Sequence, residues 1–212
     1  MEPNPRKTSD VRRLGRVDIS RLRDAVLALP DSLWDAENAG KPNRFDALDA
    51  TRHILFRFPA RLSDWRTGED RPLWSEWRHL LEPVLTAATA AYGYARGGFP
   101  RIMLANMAPG GIIHPHRDTN ASAKWPHKIH VPLLTNDQVA FSIDGTTYHF
   151  PEGEAVEVNN MATHAVANRG DTNRIHLIFE YYDLDQPEAD WLEGAVEEAR
   201  ARRAAAGAGL KG

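Results

Sequence analysis

The 212-residue sequence contains no cysteine. That excludes a disulfide scaffold, a thiol nucleophile, an iron–sulfur cluster and a Cys-ligated zinc finger. Excess positive charge is also missing. With 26 Lys+Arg against 29 Asp+Glu, the net charge is −3, and nothing in the balance points to a nucleic-acid partner. No apolar run reaches the ~20 residues of a membrane span, so no membrane partner is expected. The first seven residues lack the apolar segment of an export signal, so a cytoplasmic location is expected. The apolar fraction of 42% is ample for a packed core. The length suits one domain over 1–212.

Histidine is unevenly distributed. Seven of nine fall between His114 and His176. Histidine is the commonest metal ligand and the usual acid–base group near neutral pH.

The chain divides by period. Residues 1–17 are polar and Arg-rich and read as a loose leader. The part 18–99 reads as mainly helical. Asp18 or Ser20 caps a short helix with Leu22, Val26, Leu27 and Leu29, stopped by Pro30. Residues 31–50 read as irregular, and His53–Phe58 as a strand. A second helix is expected from Leu73 to Tyr92, with a kink or break at Pro83. Over 100–184 the period becomes two. Seven or eight short strands alternate with turns such as Ala108–Gly111 and Asp144-Gly145. Strands so closely spaced leave no room for crossover helices, so pairing is antiparallel, in a sandwich or barrel. The part 185–212 reads as a C-terminal helix and tail. The fold class is therefore mostly β with flanking α, the N-terminal helices packed on one sheet.

The candidate site lies in the β part. Alternate strand residues share a face, so His116 and Asp118 project together. His164 opens a distant strand and is the natural third ligand. Two imidazoles and one carboxylate with open positions are the donor set of non-haem Fe(II) oxygenases. His114 shares the alternation, so a His114/His116/His164 site, closer to zinc chemistry, is the alternative. Further on, Ile175, Leu177 and Phe179 form an apolar face, which turns Arg174 inward. A buried guanidinium calls for an anion, and Arg suits bidentate carboxylate binding. A structural pair with Glu180 or Asp171 is the competing explanation. In His127–Leu134, the apolar face is Ile129, Val131 and Leu133, which aims Lys128 and His130 at the same interior. His127 falls on the other side and reads as solvated or capping; His149 and His176 read as structural.

Met107-Ala-Pro-Gly-Gly-Ile-Ile-His-Pro-His-Arg-Asp118 resembles the first metal segment of the aspartyl/asparaginyl β-hydroxylase family. Lys128-Ile-His-Val-Pro-Leu133, Gly153, His164-Ala-Val-Ala-Asn168 and Arg174-Ile-His-Leu-Ile-Phe179 resemble its following strands in order and spacing. The likeness spans about residues 100–182. It implies a double-stranded β-helix, or cupin-like jelly roll, and the cofactor set Fe(II), 2-oxoglutarate and O2. It implies that His116, Asp118 and His164 bind the metal. It implies that Arg174 grips the distal carboxylate of 2-oxoglutarate, with Lys128 and His130 near the cosubstrate. Such enzymes couple the conversion of 2-oxoglutarate to succinate and CO2 with hydroxylation of a C–H bond. Two departures stand out. Animal members commonly carry a small residue where Asp118 stands, and a hydroxyl residue where this chain has Ala105. Asn106 is a candidate to make the missing contact. His114 and Trp125 are candidate substrate contacts, and a free amino acid or small peptide is the expected substrate. A metal-dependent cupin isomerase or direct dioxygenase would need the triad but not Arg174. A non-catalytic small-acid-binding jelly roll would need Arg174 but not the triad.

Overall fold

The computed structural model describes residue 7 and residues 9–42, 49–61, 64–119 and 121–186. The C-terminal helix expected after residue 185 lies outside them.

Short, mostly antiparallel strands build two facing sheets. The larger is formed by β1 (Val11–Arg16), β2 (Thr51–Pro59), β3 (Gly68–Asp70), β4 (Gly97–Gly98), β5 (Ile102–Met107), β7 (His127–Leu134), β10 (Glu154–Val158) and β12 (Arg174–Asp183). Its order is β1-β10-β7-β12-β5-β2-β3, with β4 joined to β12. The smaller is formed by β6 (Ile112–His116), β8 (Val139–Ile143), β9 (Thr146–Tyr148) and β11 (His164–Asn168), in the order β6-β11-β8-β9. From β5 to β12 the chain passes back and forth between the sheets, the β8–β9 hairpin lying wholly in the smaller one. This is the double-stranded β-helix.

The period-2 pattern decides what each face meets. Leu104, Ile129, Val131, Leu177 and Phe179 point away from the small sheet. They pack against α1 (Ser20–Leu27) and α3 (Trp74–Thr89) through Leu22, Val26, Leu81 and Leu85. The opposite face meets the small sheet, where Met107, Ile113, Phe141, Ile143, Val156 and Val166 form a second apolar cluster. The turns follow their residues. Gly110 sits at φ 77° in the turn closed by Gly111 N–H on Ala108 O. Asp144 (φ 42°) and Gly145 (φ 85°) make the tight hairpin between β8 and β9.

Three sequence expectations are corrected. Residues 11–16 are not part of a loose leader but an edge strand on β10. Their arginines pair with carboxylates of that strand, Arg13 with Glu154 and Arg12 with Glu157. Charged side chains are common on edge strands, and in sequence they resemble a solvated tail. Residues 31–39 are not irregular but helical, as α2 (Asp31–Ala39). Trp34 is buried, while Asp31 and Asp35 bind Arg52 of β2. Helix α3 runs on through Pro83, with a 3-10 turn after it at Ala90–Tyr92.

Candidate metal and cosubstrate site

The facing sheets leave a cleft of about 930 Å³, counted out to its open mouth. Ile113, His116, Phe141, His164 and Val166 line it from the small sheet. Thr51, His53, Met103, Ala105, Lys128, His130, Arg174 and Ile178 line it from the large one.

Between the edge strand β6 and its neighbour β11 in the small sheet, His164 pairs in register with His116. Their rings lie 4.2 Å apart. Asp118 follows two residues beyond, with Oδ1 3.9 Å from His116 Nε2. One ligand atom from each of the three lies within 4.8 Å of the others. Each imidazole is held from behind: His116 Nδ1–H donates to His114 O (2.8 Å) and His164 Nδ1–H to Ala162 O (3.1 Å). That tautomer leaves both Nε2 lone pairs free for a cation. Asp118 is fixed by Asn160, whose Nδ2 donates to Oδ2 (2.9 Å) and whose carbonyl accepts from the Asp118 N–H (3.0 Å). Lys128 Nζ lies 3.5 Å from the same carboxylate. Burial pushes the Asp118 carboxyl up, but Lys128 and Asn160 outweigh it and hold the acid well below its ordinary range. Burial is also what lowers His164. Two imidazoles and an ionised carboxylate fit an Fe(II) ion and its open coordination positions.

His114 is absent from this group, although simple alternation would put it there. Val166 pairs with Ile113 and His164 with His116, so β6 carries one residue more than β11 over this stretch. The bulge lets Ile113 and His116 both face the cleft and leaves His114 exposed.

Arg174 is 1% exposed at the far end of the cleft. It pairs with neither Glu180 nor Asp171, and among the described residues no carboxylate meets it. Glu180 instead takes Arg101 (2.8 Å) and Lys128 (3.8 Å). The Arg174 guanidinium donates to His176 Nδ1 (2.8 Å), while its Nε is buried without a hydrogen bond. Burial lowers Arg174 to about 9, so it stays charged at neutral pH. His176 and His130 are packed beside it, and burial and then the Arg174 charge hold both far below their ordinary value. A buried cation with an unspent donor and neutral neighbours is a receptor for a carboxylate.

The remaining expectations divide. Lys128 and His130 face the cleft as the alternation indicates. Trp125 does not line the cleft. It packs with Trp65 and Tyr182, and Lys124 Nζ lies 5.0 Å from its ring centre. Asn106 is on the helix side of β5, because inward positions there are Met103 and Ala105. His127 is not solvated: it is buried between Glu157 (2.6 Å) and Tyr94 (2.6 Å). Thr51 and His53 of β2 were missed. His53 stands opposite Ala105 in register, and Thr51 Oγ1 lies 3.2 Å from its Nε2. Burial, then Lys41, lowers His53 to about 3. The strand itself was legible; which strand it would neighbour was not.

The fold and this cluster define a class, the double-stranded β-helix of cupins and 2-oxoglutarate/Fe(II) oxygenases. Solved structures share it at low sequence identity. A 2OG-Fe(II) oxygenase family oxidoreductase from Burkholderia pseudomallei matches with TM-score 0.55 and 14% identity, over 82% of this chain and 85% of that one. The non-haem α-ketoglutarate-dependent carbocyclase SnoK of nogalamycin biosynthesis gives 0.55 and 15%, over 84% and 81%. AviO1 from Streptomyces viridochromogenes Tue57 gives 0.52 and 16%, over 84% and 91%. No curated protein sequence matches this one. Residues 83–183, just under half of the chain, match the model of the aspartyl/asparaginyl β-hydroxylase family. The chain is accordingly an enzyme of the hydroxylase class. Fe(II), 2-oxoglutarate and O2 are the cofactors this class implies, and His116, Asp118 and His164 could hold the iron. Among the described residues no helix is long and apolar enough to cross a membrane.

Proposed function

We infer that the protein is an Fe(II)/2-oxoglutarate-dependent dioxygenase that hydroxylates an amino-acid side chain, in a free amino acid or a small peptide. The observation that carries the reading is the coexistence, in one cleft, of the His116/Asp118/His164 cluster and the buried, acid-free Arg174. His116, Asp118 and His164 hold the metal. Arg174 binds the distal carboxylate of 2-oxoglutarate through its fork. His130 and His176, held neutral, border that carboxylate without adding charge. Lys128 steadies Asp118 and faces the metal-proximal end of the cosubstrate. When bound, iron with O2 and 2-oxoglutarate supplies the oxidant for C–H hydroxylation and releases succinate and CO2. The apolar walls Phe141, Val166 and Ile178 keep bulk water from the reacting centre. A cupin enzyme that does not use 2-oxoglutarate leaves the cost of burying Arg174 unexplained.

The test is succinate formation from 2-oxoglutarate by Fe(II)-loaded protein. Wild type is expected to turn over slowly without substrate. Loss of succinate in both Arg174→Ala and His164→Ala, with 2-oxoglutarate affinity falling at least tenfold in Arg174→Ala, is the expected outcome. No iron-dependent 2-oxoglutarate binding by wild type would sink the reading.

A further inference from the structure

Asn160 holds Asp118 twice, through its side-chain amide and its backbone carbonyl. It is buried in the turn between β10 and β11, and each of its polar groups is met. Its N–H donates to Val158 O (3.1 Å), and its carbonyl accepts from the Asp118 N–H (3.0 Å). Its Nδ2 donates to Asp118 Oδ2 (2.9 Å) and to Ala123 O (3.2 Å). The remaining group, Oδ1, accepts from the ammonium of Lys7. Lys7 belongs to the segment ahead of β1, is buried, and also donates to Ala123 O (3.1 Å). Three residues on, Asp10 O accepts the Asn159 N–H (2.9 Å) and ties the same segment to the same turn.

Donor and acceptor chemistry gives this arrangement a direction. An ammonium has donors only and a carboxylate acceptors only, while a primary amide has both. Set between Lys7 and Asp118, the Asn160 amide must turn its oxygen to the cation and its nitrogen to the anion. The cation also polarises the amide and strengthens its bond to Asp118. Without Lys7, the same orientation would leave Oδ1 buried and unmet, at a cost of about 1–3 kcal/mol. That matches the roughly 1.5–3 kcal/mol of the Nδ2 bond to a carboxylate, so the amide would no longer be fixed. For stability alone the Lys7 charge is a liability at neutral pH, since burial disfavours it. Its use lies in the orientation it imposes.

We propose that Lys7 is a positioning residue of the metal site, fixing the Asn160 amide and through it the Asp118 carboxylate. It also clamps the short helix α4 (Ala121–Lys124), whose Ala123 lines the cleft. This rests on the reading that His116, Asp118 and His164 hold Fe(II). The sign of the effect separates positioning from plain electrostatics. A cation near a metal site repels the metal, so deleting the charge alone would tighten Fe(II) binding. Deleting a support behind a ligand loosens it. Glu157 and Glu180 act on the Lys7 charge and offset part of the repulsion, so loosening is expected to win.

The experiment is calorimetric Fe(II) titration of anaerobic, metal-free protein: wild type, Lys7→Met, Asn160→Leu and the double variant. Asn160→Leu is expected to weaken Fe(II) binding roughly 10–100-fold, and Lys7→Met at least about threefold. In the double variant Lys7→Met should add no further loss, because the amide it acts through is gone. A second measurement needs no metal. Hydrogen exchange of the Asp118 N–H, which is bonded to Asn160 O, should be at least about threefold faster in Lys7→Met than in wild type. The proposal is overturned if Lys7→Met binds Fe(II) as well as wild type or better, if its loss persists in the double variant, or if Asp118 exchange is unaltered. Should Asn160→Leu fail to fold, the sign in Lys7→Met and the exchange rates still decide. Wild type that binds no Fe(II), or a His116→Ala variant that binds it equally well, would instead overturn the metal reading; exchange in the metal-free protein then still tests Lys7.

Discussion

His114 and His116 are the same residue type two positions apart, yet the β6 bulge sends one to solvent and the other into the cleft. Metal affinity should separate them. His116→Ala is expected to lower Fe(II) affinity by more than the 10–100-fold typical of losing a hydrogen-bond partner behind a ligand. His114→Ala should change it less than threefold, because its carbonyl, which holds His116, remains in an alanine. Metal content after gel filtration checks both, and equal losses would restore the His114 alternative. Lys7 is a second residue that only the fold reveals. Its ammonium donates to Asn160 Oδ1 and to Ala123 O (3.1 Å), behind the amide that fixes Asp118. Burial, and then the Lys128 charge, lower it from 10.5 to about 8. Between those values the unfolded chain binds the extra proton, so folding stability rises with pH across that window and carries the full penalty below it. Denaturation at pH 7 and pH 10.5 should show wild type gaining about 3 kcal/mol over Lys7→Met. No difference in slope would mean that Lys7 is solvated.

At the scale of elements, the inward and outward faces of β7 and β12 were legible in the sequence. Ile129, Val131, Leu133, Ile175, Leu177 and Phe179 all join the core under the helices. Alternation is a local property of an extended chain, so it needs no knowledge of partners. Leu177, fully buried between Leu104 and Val131, is the strand centre of that layer. Leu177→Ala should cost 2–5 kcal/mol of stability, read by urea unfolding, with little change in the cleft lining on the opposite face. What the sequence concealed at this scale were the bulges and the edge. A bulge is set by the pairing of two strands distant in sequence, and neither strand announces it. The arginines of β1 are identical in composition to a solvated tail until Glu154 and Glu157 stand opposite them.

For the molecule as a whole, ligand binding should appear as stability. Fe(II) and 2-oxoglutarate bind the folded chain, which alone brings together ligands 48 residues apart, His116 to His164. A ligand at 100 times its Kd adds about 2.7 kcal/mol. For a chain of this length that is a rise in Tm of roughly 5–11 °C. The 2-oxoglutarate increment should vanish in Arg174→Ala while the metal increment stays, as differential scanning calorimetry can check.

The sequence by itself determined the strand-rich half, the facing of Arg174, Lys128 and His130, and the His-x-Asp pair with its distant histidine. Each of these rests on local period, residue chemistry or a motif. Tertiary structure alone decided that a bulge sets His114 apart from the metal ligands, that Asn106 faces the helices, and that Trp125 packs elsewhere. It also decided that Thr51, His53, Asn160 and Arg101 come to the cleft. Which side chains converge depends on strand register and bulges, and those are fixed by pairing energies summed over strands far apart in the chain.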